Sequence, residues 1–242
     1  MLRQPLLYFW HMKRTFVYID GFNLFYRGVK HTPFKWLDLK ILSQNLLSQD
    51  HCILKIKYFT ANITGRDDLQ APVRQQTYLR ALAQYIPEIS IHYGKFLSHK
   101  KWARLAAPRP ARTKEEVIIN GKKVFAPLAQ EVPEENNVEI IKTEEKGSDV
   151  NLAVHLVNDA WLDVYDCALV ISNDSDLVEA INLVKKDHPG KLVGVAIPHR
   201  CFPSKELIDA AHFQKRVRKG VLQASQLPNP IPGTNIHKPE DW

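Results

Sequence analysis

Buried β-rich runs and helical stretches alternate along almost the whole chain, and that order narrows the fold more than any other feature of the sequence. Residues 15–19, TFVYI, read as a buried strand, with basic residues before them and Asp20-Gly21 after. Further strand-like runs span Cys52 to Ala61, Ile89 to Leu97, Val138 to Lys142, Cys167 to Ser172 and Lys191 to Ile197. Most are continuously apolar, as expected when both faces of a sheet are covered. Helical stretches fall between them near Trp36 to Gln49, Asp68 to Tyr85, Asp149 to Leu162, Asp174 to Lys186 and Ser204 to Ala211. The expected architecture is a three-layer α/β/α domain with a mainly parallel sheet and right-handed crossovers. Ligands in such a sheet bind beyond the carboxyl ends of the strands, so chemistry is to be sought there.

One segment interrupts the alternation. Between Lys95 and Lys123 stand nine basic residues and only two acidic ones, Glu115 and Glu116, a local net charge of +7. The whole chain also carries +7, so the remainder is neutral overall. Asn120-Gly121 lies between the apolar runs Val117–Ile119 and Val124–Phe125, a strong hairpin signal. Residues 98 to about 137 therefore read as an insertion that carries a hairpin on basic arms. Residues 1–13 read as an N-terminal extension, with Met12 an alternative start, and residues 14–222 as the domain itself. Residues 223–242, with four prolines after position 227, read as an extended tail unless Trp242 docks back.

Composition excludes several classes. A hydrophobic share of 45% and a charged share of 24% are those of an ordinary globular chain, neither disordered nor fibrous. Cys52, Cys167 and Cys201 are far apart and offer neither a disulfide framework nor a CxxC pair, so a reducing, cytoplasmic setting is expected. The apolar stretch near the N-terminus, about six residues, is shorter than a signal core or a membrane span, and no membrane partner is expected.

Carboxylates recur where a parallel sheet gathers its active site. Asp20-Gly21-Phe22-Asn23 follows the first strand, and Lys146-Gly147-Ser148-Asp149 opens a helix. Ser172-Asn173-Asp174-Ser175-Asp176 follows a buried strand. Helix capping alone accounts for one acid at each place. At the third place a second acid stands two residues on, and acids this close repel unless a cation or a shared proton compensates. Asp20, Asn23, Asp149, Asp174 and Asp176 are thus candidates to converge on one point, with oxygen donors suited to Mg²⁺ or Mn²⁺. Such a cation leaves room for a phosphate, and the cluster reads as a metal-dependent phosphodiester site.

These segments resemble a known family. Residues 16–24 (FVYIDGFNL), 145–153 (EKGSDVNLA) and 171–177 (ISNDSDL) look like the three signature segments of the NYN domain, the LabA-like or DUF88 group within the PIN-like nucleases. The resemblance covers roughly residues 14–198, with the order and register of all three segments kept. It implies a PIN-like fold and a metal-dependent ribonuclease, with Asp20, Asp149, Asp174 and Asp176 at the acidic positions and Asn23 at the paired asparagine. Two residues depart from the pattern: Asn173 where many members have glycine, and His155 where many have a second acid on the helix.

The expected activity is cleavage of RNA, single-stranded or structured, with Mg²⁺ or Mn²⁺ as cofactor. Basic residues would hold the backbone: Lys100, Lys101, Arg104, Arg109 and Arg112 in the insertion, and Lys215, Arg216 and Arg218 near the C-terminus. A non-cleaving RNA-binding or regulatory module is the main alternative, and a small-molecule phosphohydrolase the next. The tail and the hairpin are also candidate self-association elements of a homo-oligomer. Thr60 and Asn62 are weaker candidates for the same cleft as Asp20. Phe22 and Tyr26 read as core or base-stacking residues, and Arg66, Arg74 and Arg80 as a solvated helix face.

Overall fold

The computed structural model describes residues 12–65, 68–109, 112–119, 122–132, 135–240 and 242. Two compact units make up the chain, one formed by Met1–Phe96 with Glu145–Trp242 and the other by Leu97–Glu144.

The larger unit is built on six strands: β1 (Lys13–Asp20), β2 (His51–Thr60), β3 (Ile89–Tyr93), β8 (Cys167–Ile171), β9 (Leu192–Ile197) and β10 (Phe213–Arg216). Their spatial order is β10-β9-β8-β1-β2-β3, and every neighbouring pair is parallel. β1 lies between β2 and β8, so the chain builds outward from β1 first on one side and then on the other. That reversal of direction is the point at which doubly wound sheets bind their ligands.

Strand residues alternate between two apolar cores. Val17 and Ile19 of β1 face a core completed by α2 (Leu39–Leu46), α3 (Ala71–Tyr85) and α7 (Lys219–Ala224). Tyr18 faces the opposite core, with Leu152 and Leu156 of α4 (Ser148–Trp161), Ile181 and Val184 of α5 (Val178–Asp187) and Leu207 of α6 (Lys205–Ala210). Because the side-chain period of a strand is two, Asp20 inherits the face of Tyr18, the α4 face. The same count through β8 puts Ser172 on that face with Ala168 and Val170.

Beneath the strand ends the α4 face holds a polar group. Lys57 Nζ donates to Asp159 Oδ2 at 2.6 Å, and Tyr18 Oη donates to the same oxygen at 2.7 Å. His155 Nδ1 lies 3.1 Å from Lys57 Nζ, and its ring is 4.4 Å from that of His92. Burial, with His155 and Lys57 adding their charge, pulls the His92 imidazole down to about 4. The side chains of Lys57 and Asp159 are only 11% and 6% exposed, so each charge depends on the other.

The tail closes back on the domain. Trp242 packs edge-on to Trp36 at 6.0 Å and to Tyr78 at 5.1 Å. Trp36 Nε1 donates to the carbonyl of Pro228 at 3.1 Å.

In the smaller unit β4 (Lys95–Arg109) pairs with β7 (Glu135–Lys146), and β5 (Arg112–Ile119) pairs antiparallel with β6 (Lys122–Val132). The register Val117↔Val124 and Ile119↔Lys122 brackets Asn120 and Gly121, which lie outside the described residues.

Three sequence expectations are corrected. Val138 to Lys142 is not a strand of the parallel sheet but part of β7 in the smaller unit; Ile140 and Ile141 are exposed, so their apolar character does not report a buried strand. Ile89 to Leu97 divides into β3 and β4, because Gly94 breaks the run. The sixth strand of the sheet, β10, falls where the sequence shows only a run of basic residues, Lys215, Arg216 and Arg218. It is a four-residue edge strand whose Gln214, Lys215 and Arg216 are exposed, and a charged edge leaves no strand pattern. Among the described residues, no helix is long and apolar enough to cross a membrane.

Replacing Asp159 alone, as Asp159→Ala, should destabilise the fold by about 3–5 kcal/mol, since it strands the Lys57 ammonium in a buried site. The double replacement Lys57→Met/Asp159→Leu should recover most of that loss. Urea unfolding of the three proteins tests this; equal destabilisation by the single and double variants would contradict it.

Candidate acidic metal site

The strand ends carry short turns that aim the acidic side chains. Asp20 ends β1 and caps the one-turn helix α1 (Gly21–Leu24), its Oδ1 accepting the Asn23 N–H at 2.9 Å. A side chain on Gly21 would meet the Phe59 carbonyl and the Tyr58 ring at 2.7 Å, so glycine is what lets the chain turn so close to β2. Asp149 sits in the first turn of α4, entered through Gly147 at φ 97°, a backbone state that L side chains rarely adopt. Asp174 follows β8 and accepts the Asp176 N–H at 3.2 Å, opening a single 3₁₀ turn (Ser175–Leu177) before α5.

These three acids converge. Asp20, Asp149 and Asp174 each offer a carboxylate oxygen, and the three oxygens lie within 4.8 Å of one another. Ser172 joins two of the loops: its hydroxyl donates to Asp20 Oδ2 at 2.9 Å and accepts the Asp174 N–H at 3.1 Å. Asp20 is nearly buried and Asp149 and Asp174 are half-buried, whereas Asp176 is exposed and stands outside the trio.

Electrostatics record the crowding. Burial pushes the Asp20 carboxyl up to about 6, with the charges of Asp174 and Glu145 adding to it, while the bonds from Asn23 and Ser172 pull the other way. Asp149 is also pushed up to about 6, by burial and then by Asp20, Asp174, Glu145 and Asp176. The donor set fits a hard divalent cation, because three clustered carboxylate oxygens are costly without a positive charge and favourable around one.

Asn23 has a different position from the acids. Its Oδ1 accepts the Asn173 N–H at 3.2 Å. Asn173 in turn donates from Nδ2 to the Phe202 carbonyl at 2.9 Å and accepts the Ser204 N–H at 2.8 Å. The two asparagines therefore tie together the loops after β1, β8 and β9. A glycine at 173 would lose the bonds that hold residues 202–204.

Glu145 is a neighbour that residue-by-residue reading missed. Its carboxylate accepts the Ser148 N–H at 3.1 Å at the start of α4, and its charge raises both Asp20 and Asp149. The available signal was its place at the head of the 145–153 segment, three residues before α4 begins.

Of the other candidates, Lys100, Lys101 and Arg104 are exposed on β4, with Lys100 paired to Glu139 at 3.1 Å. The backbone of Arg109 and Arg112 lies in β4 and β5, and their side chains lie outside the described residues. Lys215, Arg216 and Arg218 are exposed, and Arg216 Nη2 donates to the Cys201 carbonyl at 2.9 Å. Thr60 is buried at the end of β2, Asn62 bonds Gln76, and Arg66 lies outside the described residues.

A family model described as the NYN domain matches residues 14–215. A curated relative, the 6-hydroxy-3-succinoylpyridine 3-monooxygenase HspA of Pseudomonas putida, is 30% identical over 255 residues, covering 95% of this chain and 75% of the relative. Among solved structures, a protein of unknown function from Vibrio parahaemolyticus is similar at 14% identity and a TM-score of 0.49, covering 86% of this chain and 95% of that one.

The raised carboxyls give a signed prediction. A carboxylate raised from 3.8 to about 6 in the fold costs nothing below pH 4, and costs increasingly as pH rises through 4 to 6. In chelator at pH 8, Asp149→Asn should therefore stabilise the protein, by on the order of 1 kcal/mol once screening by water is allowed for, or about 2–4 °C in Tm. At pH 4 the difference should vanish. Thermal melts at both pH values check this, and a variant less stable than wild type at pH 8 would contradict it.

Proposed function

The chain belongs to the NYN domain family, and on that premise we propose that it is a divalent-metal-dependent endoribonuclease. One observation carries the reading: the carboxylate oxygens of Asp20, Asp149 and Asp174 gather within 4.8 Å at the point where the strand order reverses. NYN domains form a branch of the PIN-like nuclease superfamily, which gives this acidic cluster its chemical context.

Asp20, Asp149 and Asp174 would hold Mg²⁺ or Mn²⁺, whose chemistry there is to polarise a phosphodiester and lower the pKa of a water. The protein's own part is positional. Ser172 and the Asn23 N–H hold the Asp20 carboxylate in one orientation, and the Asn23–Asn173 bond holds the loops that carry Asp20 and Asp174. Asp176, exposed and close enough for its charge to raise Asp149, would order a water at the rim. An acidic pocket alone repels a polyanion, so exposed cations elsewhere must supply the affinity.

Incubation of labelled single-stranded and structured RNA with Mn²⁺ or chelator tests the reading. Wild type should cut in Mn²⁺ only, and Asp174→Asn should cut at least about a hundredfold more slowly while staying folded. Undiminished cleavage by Asp174→Asn would sink it; retention of RNA by wild type without turnover would favour a non-cleaving module. For the basic residues, replacing Lys101 and Arg104 together with Ala should lower the slope of log K against log salt for single-stranded RNA by about 1.4. An unchanged slope would remove them from the RNA path.

A second reading is favoured by the Pseudomonas relative, whose name specifies action on a substituted pyridine. On that reading the chain is a small-molecule enzyme. Turnover of 6-hydroxy-3-succinoylpyridine by a protein that leaves RNA intact would replace the ribonuclease reading.

A further inference from the structure

A cavity of about 420 Å³ lies on the sheet face opposite α4, beginning one residue after Asp20. Its volume is within the range of sites that enclose a small organic molecule. The acidic trio is not among the residues that line it.

Two aromatic pairs supply walls. Phe22 and Tyr26, successive turns after β1, are nearly parallel, with 6.2 Å between centroids and 20° between planes. Tyr26 is 52% exposed, so its ring is available to a ligand. Tyr78 and Trp242, 5.1 Å apart, contribute a second pair. The two pairs differ, since Tyr78 and Trp242 cross at 71°; the near-parallel Phe22 and Tyr26 favour a flat guest, because stacking rewards ring against ring.

The rim is cationic. Among the described residues, Lys30, Lys35 and Arg74 line the cavity with a single acidic side chain, Asp68. Asp68 is paired with Arg74, and Lys30 Nζ lies 4.9 Å from the centre of the Tyr26 ring. Among the described residues Lys35 has no anionic partner. Burial, with Arg74 and Lys238 close by, pulls its ammonium below the ordinary value. An unpaired cation of this kind is stabilised by an incoming anion.

From the aromatic walls and the cationic rim we infer that this cavity binds a planar aromatic ring carrying an anionic group. Phe22 and Tyr26 stack on the ring, and Lys35, with Lys30, holds the anion. A nucleotide and a free aromatic acid share this chemistry. A nucleotide would put a base in the cavity beside the strand end that carries Asp20; a free acid would occupy it alone. The inference does not depend on RNA cleavage.

Calorimetric titration of the full chain in EDTA tests it, with adenosine 5′-monophosphate in one arm and 4-hydroxybenzoate in the other. At least one should bind saturably, and the arm that does identifies the source. Lys35→Gln and Tyr26→Ala should each weaken that binding by about tenfold. Ribose 5-phosphate, which lacks the ring, and adenosine, which lacks the anion, should bind at least about tenfold more weakly than the monophosphate if the nucleotide arm is the one that binds. Lack of saturable binding in both arms, or binding insensitive to both variants, would overturn the inference. So would loss of binding in Asp174→Asn, which would place the ligand at the acidic trio. Because chelator suppresses metal-dependent cleavage, a negative cleavage assay leaves this result standing, and the reverse holds too.

Discussion

Parallel pairing of β1 with β2 on one side and β8 on the other is the constraint on which the functional geometry rests. A parallel strand must send its chain back through a crossover, and here the crossovers pack helices over both faces of the sheet. Where the strand order reverses, the loops after β1 and β8 leave side by side. Asp20 and Asp174 become neighbours through topology, although 154 positions separate them in sequence. The start of α4 supplies Asp149 from the layer that covers the same face.

Gathering three carboxylates works against folding. Burial and mutual repulsion push Asp20 and Asp149 up to about 6, and no cation among the described residues is paired with the trio. Local bonds offset part of the cost: the Asn23 N–H and the Ser172 hydroxyl both donate to Asp20. A few polar groups thus hold an unfavourable arrangement in one geometry, as expected of a site preorganised for a positive charge. The polar group formed by Lys57, Asp159, Tyr18 and His155 solves a different problem on the same face. Its charges are matched within the protein and leave nothing for a ligand.

Much of this was legible in the residues. Continuous apolar runs revealed β1, β8 and β9, as expected of strands covered on both faces, and β2 showed through its β-branched and aromatic residues although it carries Lys55 and Lys57. The three acids were legible because each directly follows a strand or opens a helix, which is where a parallel sheet exposes side chains to one cleft. Edge elements were not legible. β10 carries exposed Gln214, Lys215 and Arg216, so its pairing with β9 leaves no period-two apolar mark. The separation of Asp176 from the trio was also hidden, since a single 3₁₀ turn decides which of two acids two residues apart points inward. The cavity was hidden for a further reason. Phe22, Tyr26, Arg74 and Trp242 come from three distant segments, and only the return of the tail brings them together.

Asp20, Asp149 and Asp174 are proposed to form one divalent-cation site. Its most direct test is the number of protons released when Mn²⁺ is titrated into the protein, measured by calorimetry in buffers of different ionisation enthalpy at pH 5.5 and pH 8. Two carboxyls held near 6 must lose their protons to bind the ion, so one saturable site should release more than one proton at pH 5.5 and almost none at pH 8. Proton release that is the same at both pH values, or no saturable binding of Mn²⁺, would contradict it.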